Sequence, residues 1–188
     1  MAKLDITNVP RELDQLIKAS PNRRRRHILE NVRRHYLLEL TGRTEQILRP
    51  DMTVENPVYY LNLDGASRTL RGREEVRAFY KEVEGVVFAC TETAHAVSDS
   101  GYWFESWFNF YLPGSALGLD SATWHLKRQW ITMRWPYDER GLLVGERLYE
   151  HADLGEVVEI DPAEVVSFEE ARRVLDPLIR PLPTYSGL

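Results

Sequence analysis

An α+β protein, with helices early and an antiparallel sheet curling around them, is what this sequence predicts, and three observations carry the prediction. Most of the chain before Gly85 repeats its apolar residues at helical spacing; from Val86 onward the pattern changes to extended runs; and hairpin-sized turns separate those runs. With 188 residues, 43 % hydrophobic and 11 % aromatic, the chain can bury one core but not two, so helices and sheet share it.

The elements follow in order. Pro10 to Ala19 places Leu13, Leu16 and Ile17 on one helical stripe, and Pro21-Asn22 interrupts it. Arg23 to Thr41 is a longer helix with Ile28, Val32, Tyr36 and Leu40 on its apolar stripe, Leu29 and Leu37 beside it, and Gly42 as its stop. A short helix from Thr44 to Leu48 precedes an extended segment, Met52 to Leu63, in which Pro57 requires an edge or a bulge. Gly65-Ala66-Ser67 reads as a turn. Gly72-Arg73-Glu74-Glu75 opens a helix that faces Val76, Phe79, Tyr80 and Val83 inward and stops at Gly85. Four strands follow: Val86 to Ser98, Tyr102 to Leu112, Thr123 to Trp135 and Leu142 to His151. Asp161 and Ser167, each with Glu three residues on, cap a short tail helix stopped by Pro177. Three segments result: a helical arm (1–22), the main domain (23–160) and a helical, Pro-rich tail (161–188) that either covers the sheet or reaches a partner subunit, or else packs loosely.

Composition removes several function classes. The net charge of −5 argues against bulk attraction to nucleic acid; the basic run Arg23 to Arg26 is either a phosphate patch or a solvated helix face. No apolar stretch approaches the roughly 18 residues of a membrane span, and the first residues lack a secretory apolar core, so a cytoplasmic protein is expected. Cys90 is the single cysteine, and the five histidines show no ligand spacing, so neither a disulfide nor a metal site is expected. Without a phosphate-cradling glycine loop, an HExxH or a GxSxG, no cofactor is expected either.

The candidate site starts from the run Gly101 to Gly114. On one face of that strand stand Tyr102, Phe104, Ser106, Phe108 and Phe110; on the other Trp103, Glu105, Trp107, Asn109 and Tyr111 mix a carboxylate and an amide with amphipathic rings. The second face is the predicted pocket wall, because a buried carboxylate needs a ligand or water to meet it, the alternative being that Glu105 lies on the open side of the sheet. His95, in mid-strand, is a candidate proton carrier or a buried, hydrogen-bonded structural residue.

Leu40-Thr41-Gly42-Arg43-Thr44-Glu45, Arg49-Pro50-Asp51, Glu55-Asn56-Pro57, Gly72-Arg73-Glu74-Glu75-Val76 and Gly141 to Tyr149, taken in that order and spacing, resemble the SnoaL-like polyketide cyclase branch of the nuclear transport factor two-like superfamily. The resemblance spans about residues 23 to 153. It implies a cone: a bent antiparallel sheet around three helices with a pocket at the wide end. It also implies an acid–base Asp on the last strand just before an aromatic residue, where this chain has Leu148 before Tyr149, and an Asn that holds water, matched by Asn56. Leu148 shares its strand face with Val144, Glu146 and Glu150, so Glu146 is the nearest carboxylate to take over, unless it is a rim charge.

The resulting expectation is a cofactor-independent acid–base enzyme (a cyclase, dehydratase, isomerase or hydratase) on a small hydrophobic or aromatic molecule. Glu105, Glu146 and Asn56 are its candidate catalytic residues, and Tyr59, Trp103, Trp107, Asn109, Leu148 and His95 would line the pocket. The alternatives are a non-catalytic binder of the same kind of molecule and an interaction protein using the outer sheet face. Trp124, Trp130 and Trp135, crowded on one strand, predict a homodimer.

Overall fold

The computed structural model describes residues 3–184; the first two residues of the arm and the last four of the tail lie outside the described residues. Four α-helices, α1 (Asn8–Ala19), α2 (Arg23–Leu40), α3 (Gly72–Glu82) and α4 (Phe168–Leu175), accompany six strands: β1 (Thr53–Leu63), β2 (Ala66–Arg71), β3 (Val87–Ser98), β4 (Gly101–Pro113), β5 (Trp124–Pro136) and β6 (Leu143–Ile160). The strands form one curved, unclosed sheet in the order β2-β1-β6-β5-β4-β3. All neighbours are antiparallel except β1 and β6, which run parallel. This departure from the expected all-antiparallel sheet follows from connectivity. The α3 crossover carries the chain to the far edge with β3 running in the sense of β2, and three reversals then bring β6 back alongside β1 in β1's own direction.

Two elements differ from the sequence reading. Ala66–Arg71, whose first two residues were expected in a turn and whose last four were given no element, pairs with β1 from Leu63↔Ala66 to Val58↔Arg71, because Asp64-Gly65 alone makes the hairpin. The last strand continues past His151 to Ile160, with a register shift between Arg128 and Trp130 on its partner β5. Further shifts occur between Thr53 and Val58, where Pro57 sits, and between Thr91 and Ala94. Such bulges sharpen the local twist and bend long strands.

The helices lie against the sheet over two apolar clusters. The larger joins Leu13 of α1, Ile28, Val32 and Leu37 of α2, and Ala171 and Leu175 of α4 to Phe88, Phe104, Phe108, Ile131 and Trp135 of the sheet; the smaller joins Ile47, Met52, Tyr59, Leu61, Val76 and Tyr80. Leu148 touches both. The arm and the tail therefore feed the same core as the main domain.

Local chemistry sets the helix boundaries. Asn22 caps α2 by accepting from the Arg25 amide at 3.0 Å, a contact typically worth about 1 kcal/mol. Gly42, at φ +69°, turns the chain out of α2, and the Phe168 ring fills the space where a Cβ would stand. Tail and arm cover the outer side of α2, which is why it is buried almost all round rather than along one stripe. Arg33 donates to the Leu178 carbonyl (2.9 Å), and Arg180 reaches Asp14 (2.8 Å) and Glu30 (2.9 Å). Among the described residues the tail thus lies over α1 and α2 as well as joining the core against the sheet. Within the basic run Arg23 is exposed, whereas Arg24 and Arg25 are engaged by other parts of the chain. Arg24 donates to the carbonyls of Asp99, Asp138 and Glu139, and Arg25 pairs with Asp99 at 2.9 Å, stapling α2 to two turns. Among the described residues no helix is long and apolar enough to cross a membrane.

Candidate active site

A cavity of about 110 Å³, or about 760 Å³ with the space at its mouth, opens between the sheet, the end of α2 and α3. Residues of both apolar clusters wall it: Phe88, Phe108, Ile131 and Met133 from one, Leu61 and Tyr80 from the other. It marks the seam at which the clusters fail to close on each other.

Three carboxylates line this cavity: Glu39 from α2, Glu146 from β6 and, exposed to solvent, Glu84 after α3. Strand alternation puts Glu146, Leu148 and Glu150 on the concave side of β6, where Met133 and Ile131 of β5 stand opposite Leu148 and Glu150. Glu150 is satisfied by the Gln129 amide and the Asp64 backbone N–H. Glu146, only 7 % exposed, has no such partners. Burial pushes its carboxyl up to about 7; the indole N–H of Trp135, which makes no hydrogen bond of standard geometry, pulls it partly back toward the anion. Glu39 keeps 29 % of its side chain accessible, on the side that looks into the cavity. The dense protein around it, and then the charge of Glu146, nevertheless push it up to about 8.

Behind the carboxylates lies a neutral polar chain. His35 Nε2 is 2.8 Å from the Tyr80 hydroxyl, which is 3.2 Å from the Tyr59 hydroxyl. His35 stacks on Trp135 with ring centroids 4.4 Å apart. Complete burial depresses its pKa to about 3, so it is uncharged and its 3.9 Å approach to Glu39 is not an ion pair. Burial likewise raises the phenols of Tyr59 and Tyr80, which stay protonated.

The structure divides the sequence candidates. Glu146 and Leu148 line the cavity, and Tyr59 supports it from behind through Tyr80. Glu105, Trp103 and Trp107 stand on the outer face, the reverse of the expected orientation. It is the almost purely aromatic face of β4 that turns inward, with Phe108 and Phe110 in the cavity wall, because those rings carry no group that needs water. The outer tryptophans are instead covered by guanidinium groups, Arg134 over Trp103 at 5.2 Å and Arg128 over Trp107 at 5.1 Å, and Glu105 stays solvated. Asn56 is exposed, within the register shift of β1. Asn109 donates to the Ala89 carbonyl (3.0 Å) and accepts from Arg128 (3.2 Å), away from the cavity. His95 bridges the Tyr102 hydroxyl (2.6 Å) and Glu12 (2.8 Å), tying the sheet to α1. Of the three tryptophans of β5, Trp135 belongs to the core and Trp124 lies at its edge, leaving Trp130 outside against Trp107.

Glu39 is the residue sequence reasoning missed. It stands seven residues after Val32 and eleven after Ile28, so its position on the apolar stripe of α2 was legible as an acid where a core residue belongs. Among the described residues no group of three or more His, Cys, Asp or Glu side chains is arranged to hold a metal ion.

The chain matches no family model and no curated protein. Similar solved structures include a phenazine biosynthesis-related protein from Pseudomonas aeruginosa (14 % identity, 92 % of this chain and 97 % of that one, TM-score 0.49). The Δ5-3-ketosteroid isomerase from Mycobacterium sp. is similar at 17 % identity, over 70 % of this chain and 98 % of that one, with TM-score 0.46. The S. rosetta CaMKII hub is similar at 12 % identity, over 70 % and 99 %, with TM-score 0.48. The bent, unclosed sheet with helices against one face agrees with the α+β cone that the sequence motifs implied.

Proposed function

We propose that this protein is a cofactor-independent acid–base catalyst for a small apolar or aromatic molecule held in the cavity between α2, α3 and the sheet. The observation that carries the reading is the pair Glu39 and Glu146 facing one aromatic-walled cavity with both pKa values raised toward neutrality. Two such groups cannot ionise together at low cost, so they lose their protons in separate steps, and near pH 7 to 8 one acts as acid while the other acts as base. Glu146 stands two residues before Leu148, on the same strand face, and so supplies the carboxylate that a SnoaL-like site requires; the branch itself rests on the sequence motifs. Cyclisation, dehydration, isomerisation and hydration all use this proton traffic.

The test is exchange of α-protons of a small aryl ketone in D₂O, followed by NMR across pH. If the singly protonated pair is the active form, the rate rises as pH passes through about 7 and falls as it passes through about 8, a narrow bell. A Glu105→Gln variant keeps the same profile. A ketone that binds without exchanging would make the protein a binder instead.

We further propose self-association through the outer sheet face. Tyr60 and Tyr149 are 44 % and 56 % exposed there, beside Trp103, Trp107 and Trp130. Light scattering at micromolar concentration should give a dimer mass that Tyr149→Glu reduces to a monomer. A monomeric parent protein sinks the idea.

A further inference from the structure

The walls of the cavity hold an imbalance that the acid–base reading leaves unused. No Arg, Lys or His is among its lining residues, whereas Glu39 and Glu146 face it and Glu84 stands in its wall as well. A buried charge in a folded protein is ordinarily paired, because an uncompensated one costs several kcal/mol. The other buried or half-buried acids near α2 follow that rule, Glu30 meeting Arg180 at 2.9 Å and Asp14 meeting Arg33 at 2.9 Å. Among the described residues neither Glu39 nor Glu146 meets a charged cation: the one basic group within 4 Å, His35 at 3.9 Å from Glu39, is held neutral by burial. Nor does the protein supply hydrogen-bond donors in its place. The Trp135 indole N–H is the single donor directed at Glu146, and Tyr80 is engaged with His35 and Tyr59. Apart from the Thr44 hydroxyl, the remaining wall is rings and aliphatic groups, with Phe79, Phe88, Phe108 and Phe110 presenting π systems that attract cations and repel anions.

We infer that the cavity takes an organic cation, a protonated amine on a small apolar or aromatic body, whose ammonium group supplies the positive charge the two glutamates lack. This deepens the acid–base reading and rests on it: with the ammonium paired to one carboxylate, the other is left to move a proton at a neighbouring atom of the same molecule. A neutral ring of the same shape gains the apolar contacts but leaves the carboxylates unpaired. A carboxylate ligand adds a third negative charge.

Three isosteric probes separate these cases: benzylamine, benzyl alcohol and benzoate, titrated at pH 8 with calorimetry and with the methyl resonance of Met133 reporting entry into the cavity. Benzylamine should bind about tenfold or more tightly than benzyl alcohol, as expected for hydrogen bonds to a charged group, and benzoate should not bind. Glu39→Gln and Glu146→Gln should each cut the amine's advantage to about twofold or less. They should leave benzyl alcohol affinity near that of the parent protein, which also shows that the variants are folded. Benzyl alcohol or benzoate binding as tightly as the amine overturns the inference while leaving the acid–base cavity standing. If none of the three shifts the Met133 methyl, the cavity reading fails together with it.

Discussion

Glu146→Gln is expected to lower turnover, or probe exchange, by roughly 10²- to 10⁴-fold, the usual loss when a general acid or base is removed. The amide keeps the shape of the carboxyl and its contact with Trp135 but can neither take nor release a proton at neutral pH. Glu39→Gln should lose activity by a similar factor, and the double variant little more than either alone, because the two groups act as a unit. Stability provides an independent reading. The folded pKa of Glu146 is raised to about 7, so between the unfolded value near 4.5 and that point the folded state holds a proton the unfolded state has released. Stability from this group is therefore fully present below about pH 4.5 and lost as pH rises through about 7. Glu146→Gln removes the loss. Its urea midpoint should gain on the parent protein between pH 5 and pH 8.5, while its activity falls. Full activity in both single variants would end the catalytic assignment.

Gly145→Ala should be the most damaging single-methyl substitution tested in the sheet. A Cβ at this position would lie 1.9 Å from the Val58 carbonyl oxygen and 2.7 Å from its carbon, both backbone atoms of β1 that no side-chain rotation can move away. Gly145 pairs with Val58 at the parallel junction of β1 and β6, just where the register shifts, and the next pair is Tyr59 with Glu146. Relief of the clash requires β1 and β6 to separate, which strains the pairing beside Glu146. A loss of about 3 kcal/mol or more is expected, at or beyond the upper end for overpacking. Gly155→Ala, farther along β6, has its nearest neighbour at 3.5 Å and serves as the control. Chemical denaturation of the two variants decides the point; equal midpoints would show that β1 yields more easily than its pairing implies.

Much of the fold was legible because it depends on local patterns. The stripe of α2, the cap at Asn22, the stop at Gly42 and the switch to long strands after Gly85 are each encoded within a few residues, and each stands in the structure. Strand alternation likewise put Glu146, Leu148 and Glu150 on one face. What alternation cannot say is which face turns inward. For β6 the resemblance to a known family supplied the answer, and Glu146 does line the cavity. For β4 the choice was made from composition alone, and it placed Glu105, Trp103 and Trp107 inside when desolvation keeps that carboxylate in water and guanidinium groups cover those rings.

The sequence by itself determined the α+β order, the main helix boundaries and the placing of Glu146, Leu148 and Glu150 on one face of the last strand, since these follow from spacing along one segment. Only the tertiary structure decided that β6 lies parallel to β1, that the tail closes over α2, and that the second carboxylate is Glu39. Each of those depends on groups far apart in the chain. Glu39 and Glu146 are separated by most of the sheet in sequence, and their raised pKa values come from burial, and for Glu39 also from the charge of Glu146, conditions that exist only once α2 lies against β6's side of the cavity.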